Sequence, residues 1–287
     1  MLTPSELKAL LRANDLRLTK RLGQHHLIDA RMIARIIDGC RLTSSETVVE
    51  IGAGLGALTE PLAAHARRVI AVEVDARICA LLRERMRGIA NVEVECGDIL
   101  TYPWARVGPA VVVGAIPYSI TSPILVALSE QRARVLRAIL VVQEEVADRL
   151  LAAAGTKAYG RLTLLAQYHW QLESLLRVPR SAFFPQPNVD STCLRLMRHP
   201  RPPVAVHDEE GLFEVVKAAF AQRRKSLVNG LRASLARGTD RAVCERVLKD
   251  LGLPASVRGE TLSLEQFARL ANALTDAGIG SYRSQQK

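Results

Sequence analysis

Apolar positions along the chain change their period twice. Over residues 5–13, Leu7, Leu10 and Leu11 recur at helical spacing, and Met32, Ile33, Ile36 and Ile37 repeat it behind Asp29, a residue suited to cap that helix. From Val48 onward, short apolar runs alternate with helical ones. Residues 48–51, 68–74, 92–95, 110–113 and 138–142 read as strands, and residues 57–64, 76–87, 122–129 and 144–151 as helices. Neighbouring parallel strands need crossover helices, so this alternation predicts a parallel sheet covered on both faces. Residues 160–176, with Leu162, Leu164, Leu165, Tyr168 and Trp170, are expected to form one further helix, and residues 192–197 a strand. The segment HPRPP (199–203) cannot continue either element and reads as a linker. Beyond it the pattern is purely helical: a stripe from Leu212 through Phe220 that Leu227 and Leu231 extend, then segments at 240–251 and 263–275. The expected organisation is an α/β domain over 1–199 and a small all-helical domain over 200–287.

The first strand runs into VVEIGAGLGALT (48–59). Glycines at alternate positions allow positive φ and close approach of a ligand, and the N–H groups that open the next helix face the same point. Two fingerprints fit. Gly52, Gly54 and Ala57 match the dinucleotide spacing G-x-G-x-x-G/A, while Glu50, Gly52, Gly54 and Gly56 match E-x-G-x-G-x-G, the spacing of S-adenosylmethionine methyltransferases. The turn alone leaves both open. Parallel sheets bind ligands beyond the C-terminal ends of their strands. Those ends carry Glu73 after strand two, placed for ribose hydroxyls, Asp98 after strand three, placed for an exocyclic amine, and residues 115–118 after strand four. Polar ends in register favour an adenosyl ligand.

Composition narrows the partner. The 287 residues carry 39 Lys and Arg against 29 Asp and Glu, a formal charge of +10, and arginine, the residue suited to bidentate phosphate contact, outnumbers lysine. This balance points to a polyanion. The loop FFPQPNVDS (183–191) holds two aromatics at its rigid start, as base stacking or core packing requires. Five widely spaced cysteines with no C-x-x-C pair predict reduced thiols, with neither a disulfide framework nor a metal site. No apolar run approaches the ~18 residues of a membrane span, and the charged N-terminus has no signal-type core, so a cytoplasmic protein is expected.

With these pieces in place, the sequence resembles the small-subunit ribosomal RNA adenine-N6,N6-dimethyltransferases, the KsgA family, relatives of the Erm methyltransferases. GQHHLID (23–29), VEIGAGLGALT (49–59), AVEVD (71–75), GDIL (97–100), IPYSITSPIL (116–125), FFPQPNVDS (183–191) and AFAQRRKSL (219–227) carry the likeness, over residues 17–275. The resemblance implies a Rossmann-like methyltransferase sheet with helices on both faces, a helical C-terminal RNA-binding domain, S-adenosylmethionine as donor without a metal, and the assembling small ribosomal subunit as partner of a monomer. It implies donor contacts by Gln24, His25, Leu27, Gly52, Gly54, Gly56, Glu73, Asp98, Ile99 and Ala115. It further implies a target adenine near Ala115, Ile116, Pro117, Tyr118 and Phe183, and RNA backbone contacts by Arg223, Arg224 and Lys225. Two positions depart from it. Ala115 stands where the family has Asn or Asp, and His26 stands where it has Phe. A ribosome-assembly factor with weak or absent methylation, and a nucleotide-dependent oxidoreductase resting on the dinucleotide spacing, are the competing readings.

Overall fold

The computed structural model describes residues 2–16, 25–117, 120–222, 225–234 and 240–279. The described strands are β1 (His26–Leu27), β2 (Thr47–Ile51), β3 (Arg68–Glu73), β4 (Val92–Cys96), β5 (Ala110–Ala115), β6 (Val135–Gln143), β7 (Trp170–Val178), β8 (Phe183–Phe184) and β9 (Ser191–Arg198). The helices are α1 (Pro4–Ala13), α2 (Ala30–Cys40), α3 (Thr59–Ala63), α4 (Ala76–Met86), α5 (Thr121–Glu130), α6 (Glu144–Leu150), α7 (Arg161–His169), α8 (Glu209–Ala221), α9 (Leu227–Ser234), α10 (Arg241–Asp250) and α11 (Leu264–Asp276).

Seven strands form one sheet in the order β4-β3-β2-β5-β6-β9-β7. The first five are parallel, as the alternating pattern requires, and the strand order reverses between β2 and β5. All of β2 is buried, and β5 is buried up to its last residue, because helices cover both faces. Asp29 caps α2 by accepting the N–H groups of Arg31 and Met32, in the role its position predicts.

Three expectations are corrected. The sheet is mixed, since β9 runs antiparallel to both β6 and β7. The helix expected over 160–176 ends at His169. Trp170 is buried with its indole N–H donating to Ser129 Oγ at 3.2 Å, and from there the chain pairs with β9, overriding the helical preference of its Leu and Glu residues. Finally, Cys79 and Cys96 are joined in a disulfide, while Cys40, Cys193 and Cys244 are buried thiols. The two partners lie 17 residues apart, one in a helix and one at a strand end, a proximity that only the fold creates.

The chain divides into two compact units. One takes the described residues of 1–147 and 170–198, the other those of 148–169 and 199–287, which differs from a division at residue 199. The reason is packing. Tyr159, Leu164 and Tyr168 are buried in one apolar cluster with Leu212, Val216, Leu231, Phe267 and Leu270. No helix of the described residues is long and apolar enough to cross a membrane.

Candidate active site

The first unit gathers the candidate site residues beyond the C-terminal ends of β2, β3, β4 and β5. The turn after β2 bears Gly52, Gly54 and Gly56 at φ +67°, +57° and +87°, a region closed to most side chains. Gly52 and Ala53 donate their N–H groups to Val72 O at 2.9 and 3.1 Å, which ties the turn to β3. A Cβ on Gly54 would stand 2.7 Å from His26 Cε1, so the backbone passes directly under that imidazole. A Cβ on Gly52 would meet nothing nearer than Ala115 O and Pro117 Cδ, each at 4.0 Å. Open space therefore lies between the β2 turn and the β5 turn.

Glu73, 7% exposed, ends β3. Its carboxylate accepts the N–H groups of Gly54 at 2.8 Å and Asp75 at 3.0 Å. Burial raises its pKa against the pull of those bonds. Beside it Val74, expected inside the strand, is 68% exposed and offers an apolar face. After β4, the exposed Asp98 accepts Leu100 N–H at 2.9 Å and caps a short turn that buries Ile99. After β5 come the half-buried Ala115, the buried Ile116 and Pro117, whose carbonyl receives Ile120 N–H at the start of α5.

A short ribbon closes the remaining side. β1 and β8 are antiparallel, with His26 opposite Phe184 and Leu27 opposite Phe183. His25 Nδ1 stands 2.6 Å from Pro185 O, and Leu27 is buried. Phe183, expected beside the target base, is buried in the core with Leu27 and Ala182. Phe184 is the more open of the pair, with the Lys8 ammonium 5.0 Å from its ring centroid. Gln24, Tyr118, Arg223 and Arg224 lie outside the described residues, and Lys225, in the second unit, is exposed.

Two features were not assigned a role from sequence. Glu50, buried in β2 just ahead of the glycine turn, accepts Thr59 Oγ1–H at 2.6 Å, and burial, reinforced by the nearby Glu73, pushes its pKa up to about 8. The motif spacing holds the signal for Glu50; only the fold supplies Thr59 as partner. His26 lines a small cavity with Leu55, Ala57 and Arg85, and its Nε2, like Arg85 Nε and Nη1, is buried with no hydrogen-bond partner among the described residues. Loss of water around the ring, then the charges of His25 and Arg85, bring the His26 pKa down to about 4.

The profile of the ribosomal RNA adenine dimethylase family matches residues 16–276. The chain belongs to that family. It is 42% identical over 281 residues to a ribosomal RNA small subunit methyltransferase A of Bacillus mycoides, covering 95% of this chain and 96% of the relative. The corresponding protein of Geobacillus thermodenitrificans is 41% identical over the same span. Among solved structures, a dimethyladenosine transferase from Plasmodium falciparum superposes with a TM-score of 0.74 at 27% identity, covering 88% of this chain and 98% of that one. The 23S rRNA methyltransferase ErmE superposes with a TM-score of 0.66 at 32% identity, covering 87% and 99%. Family membership sets aside the oxidoreductase reading of the glycine turn.

Proposed function

We propose that this chain transfers methyl groups from S-adenosylmethionine to the N6 amine of adenines in small-subunit ribosomal RNA, adding up to two per base. The observation that carries the reading is the convergence of the glycine turn, Glu73, Asp98 and the 115–117 segment at one end of the sheet in a member of this family. The residues suit an adenosyl donor. Glu73 and Asp98 are hydrogen-bond acceptors for ribose hydroxyls and an adenine amine, the exposed Val74 is an apolar surface for a flat ring beside the turn that buries Ile99, and the space over Gly52 admits a chain that a side chain would fill. Gln24, His25 and Leu27 hold the amino-acid end of the donor, and Gly52, Gly54 and Gly56 lie along it.

When bound, the donor supplies an electrophilic methyl on a sulfonium. The protein's own work is to position and polarise the acceptor. An adenine amine is a poor nucleophile because its lone pair is delocalised into the ring. A carbonyl at residue 115 or 116 that accepts an amine N–H localises that pair. Ala115 has no side-chain acceptor to take the second N–H, so half of the polarising pair is missing and transfer is slow. Tyr118 is the aromatic that takes a base flipped from its stack, a role the core-buried Phe183 does not share, and Arg223, Arg224 and Lys225 hold the RNA backbone.

The test is incubation of the chain with methyl-labelled donor and unmodified small-subunit RNA, followed by mass spectrometry of the nucleosides. Mono- or dimethylated adenosine is expected. Ala115 favours a second reading, a ribosome-assembly factor that binds donor and RNA with little turnover. Tight binding of both with no methyladenosine would select it.

A further inference from the structure

The Cys79–Cys96 disulfide joins the two chain segments that carry the adenosine-side residues of the proposed donor site. Cys96 is the last residue of β4 and lies opposite Glu73 in the β3–β4 register. Gly97 N–H donates to Glu73 O at 3.0 Å, and the next two residues are Asp98 and Ile99. Cys79 sits in the first turn of α4, its N–H donating at 2.8 Å to the carbonyl of Asp75, the residue that caps the helix. Asp75 N–H in turn donates to the Glu73 carboxylate. The bond thus closes a ring that leaves β3 at Glu73, passes through Val74, Asp75 and the start of α4, crosses the sulfurs, and returns through Cys96 to Glu73. Val74, Glu73, Asp98 and Ile99 all lie on this ring or adjoin it.

We propose that this disulfide is a redox latch on donor binding: closed, it holds the Glu73 and Asp98 segments together around the adenosine, and opened by a dithiol it releases them. The inference rests on the donor-site reading above. The two cysteines differ in exposure in a way that suits exchange. Cys96 is exposed and Cys79 fully buried. A dithiol thiolate attacks Cys96 Sγ, the Sγ–Sγ bond breaks, and Cys79 Sγ leaves as a thiolate that takes a proton. The second thiol of the reagent then attacks the mixed disulfide, leaves as part of a cyclic disulfide, and frees Cys96 as a thiol. The protein gains two electrons and two protons, and the dithiol loses them. The other cysteines stay out of the exchange. Cys40 and Cys193 are buried thiols whose pKa burial pushes up to about 12, and Cys244 is buried in the second unit.

The experiment titrates S-adenosylhomocysteine into the full chain by calorimetry, after air oxidation and after treatment with dithiothreitol, with iodoacetamide labelling of the denatured protein to count thiols. Oxidised protein is expected to label at the three cysteines outside the bond, reduced protein at all five. Reduction is expected to weaken binding by about fivefold or more, the lower end of couplings between linked sites. Cys96→Ser, a change at an exposed position, is expected to show the weakened affinity with or without dithiothreitol. Labelling of all five cysteines in the oxidised chain, or equal affinity in both states, overturns the latch alone. Absence of S-adenosylhomocysteine binding in either state overturns the donor-site reading and the latch with it.

Discussion

The Glu73 carboxylate accepts the backbone N–H of Gly54 at 2.8 Å, so the acid proposed to bind the ribose also fixes the turn beside it. Glu73→Gln keeps the shape but cannot accept from both Gly54 and Asp75, since its amide nitrogen faces an N–H. Hydrogen bonds to a charged group are worth about 1.5–3 kcal/mol. A fall in stability of that order is expected in thermal melts, together with a loss of S-adenosylhomocysteine affinity in calorimetry.

The glycines of the turn are not equivalent. Gly52→Ala has open space for its Cβ and incurs only the left-handed backbone cost of about 1–2 kcal/mol. Gly54→Ala adds a collision with the His26 ring. Denaturant titration should show the larger loss at Gly54, and a His26→Ala background should recover part of it, leaving Gly52→Ala unaffected.

His26 is expected to make the protein sensitive to acid. Its pKa falls from the ordinary 6.5 to about 4 on folding. Between those values the unfolded chain binds more protons, so the contribution of this residue is intact above pH 6.5 and lost as pH falls toward 4. His26→Phe removes both this dependence and the orphaned Nε2. It should raise stability at neutral pH by about 1 kcal/mol or more, the cost of an unmade buried hydrogen bond, and flatten the melting temperature between pH 4 and 6.5.

Glu50 acts in the opposite sense. Its folded pKa of about 8 lies above the ordinary 4.5, so the native state holds a proton that the unfolded chain has released. Stability from this residue is complete below pH 4.5 and is lost as pH rises toward 8. Glu50→Gln mimics the protonated side chain. The variant should match the parent near pH 5 and exceed it at pH 8 in a pH series of melts.

Ala115→Asn supplies the side-chain acceptor that the proposed transfer lacks. Loss of one preorganised contact of this kind commonly costs about 10²–10³ in rate. The variant is expected to methylate small-subunit RNA faster by a factor within that range, with donor affinity little changed. Equal single-turnover rates for the two proteins would show that the backbone carbonyls suffice.

Much of this architecture was legible because periodicity and strand ends are local signals. The glycine turn, Glu73, Asp98 and the Asp29 cap of α2 follow from the sequence within a few residues of their observed places. What the sequence hid was pairing at long range. Trp170–Val178 has a helical composition and becomes a strand only because β9 lies beside it. The burial of Phe183 depends on pairing with Leu27, far upstream, and the Cys79–Cys96 bond depends on α4 packing beside β4. A motif draws attention to Phe183 and none does to Cys96, because a local pattern carries no information about the partner that the fold brings alongside.

The placement of β9 between β6 and β7 has a consequence for synthesis. The five parallel strands end at Gln143, but β6 gains its outer neighbour, and β7 its only neighbour among the described residues, when residues 191–198 have emerged. The β1–β8 ribbon likewise waits for residue 184 to meet residue 26. A nascent chain stopped before β8 would therefore hold the glycine turn and Glu73 while the ribbon side of the pocket was still missing, so competence to bind donor should arrive only once residue 184 has emerged.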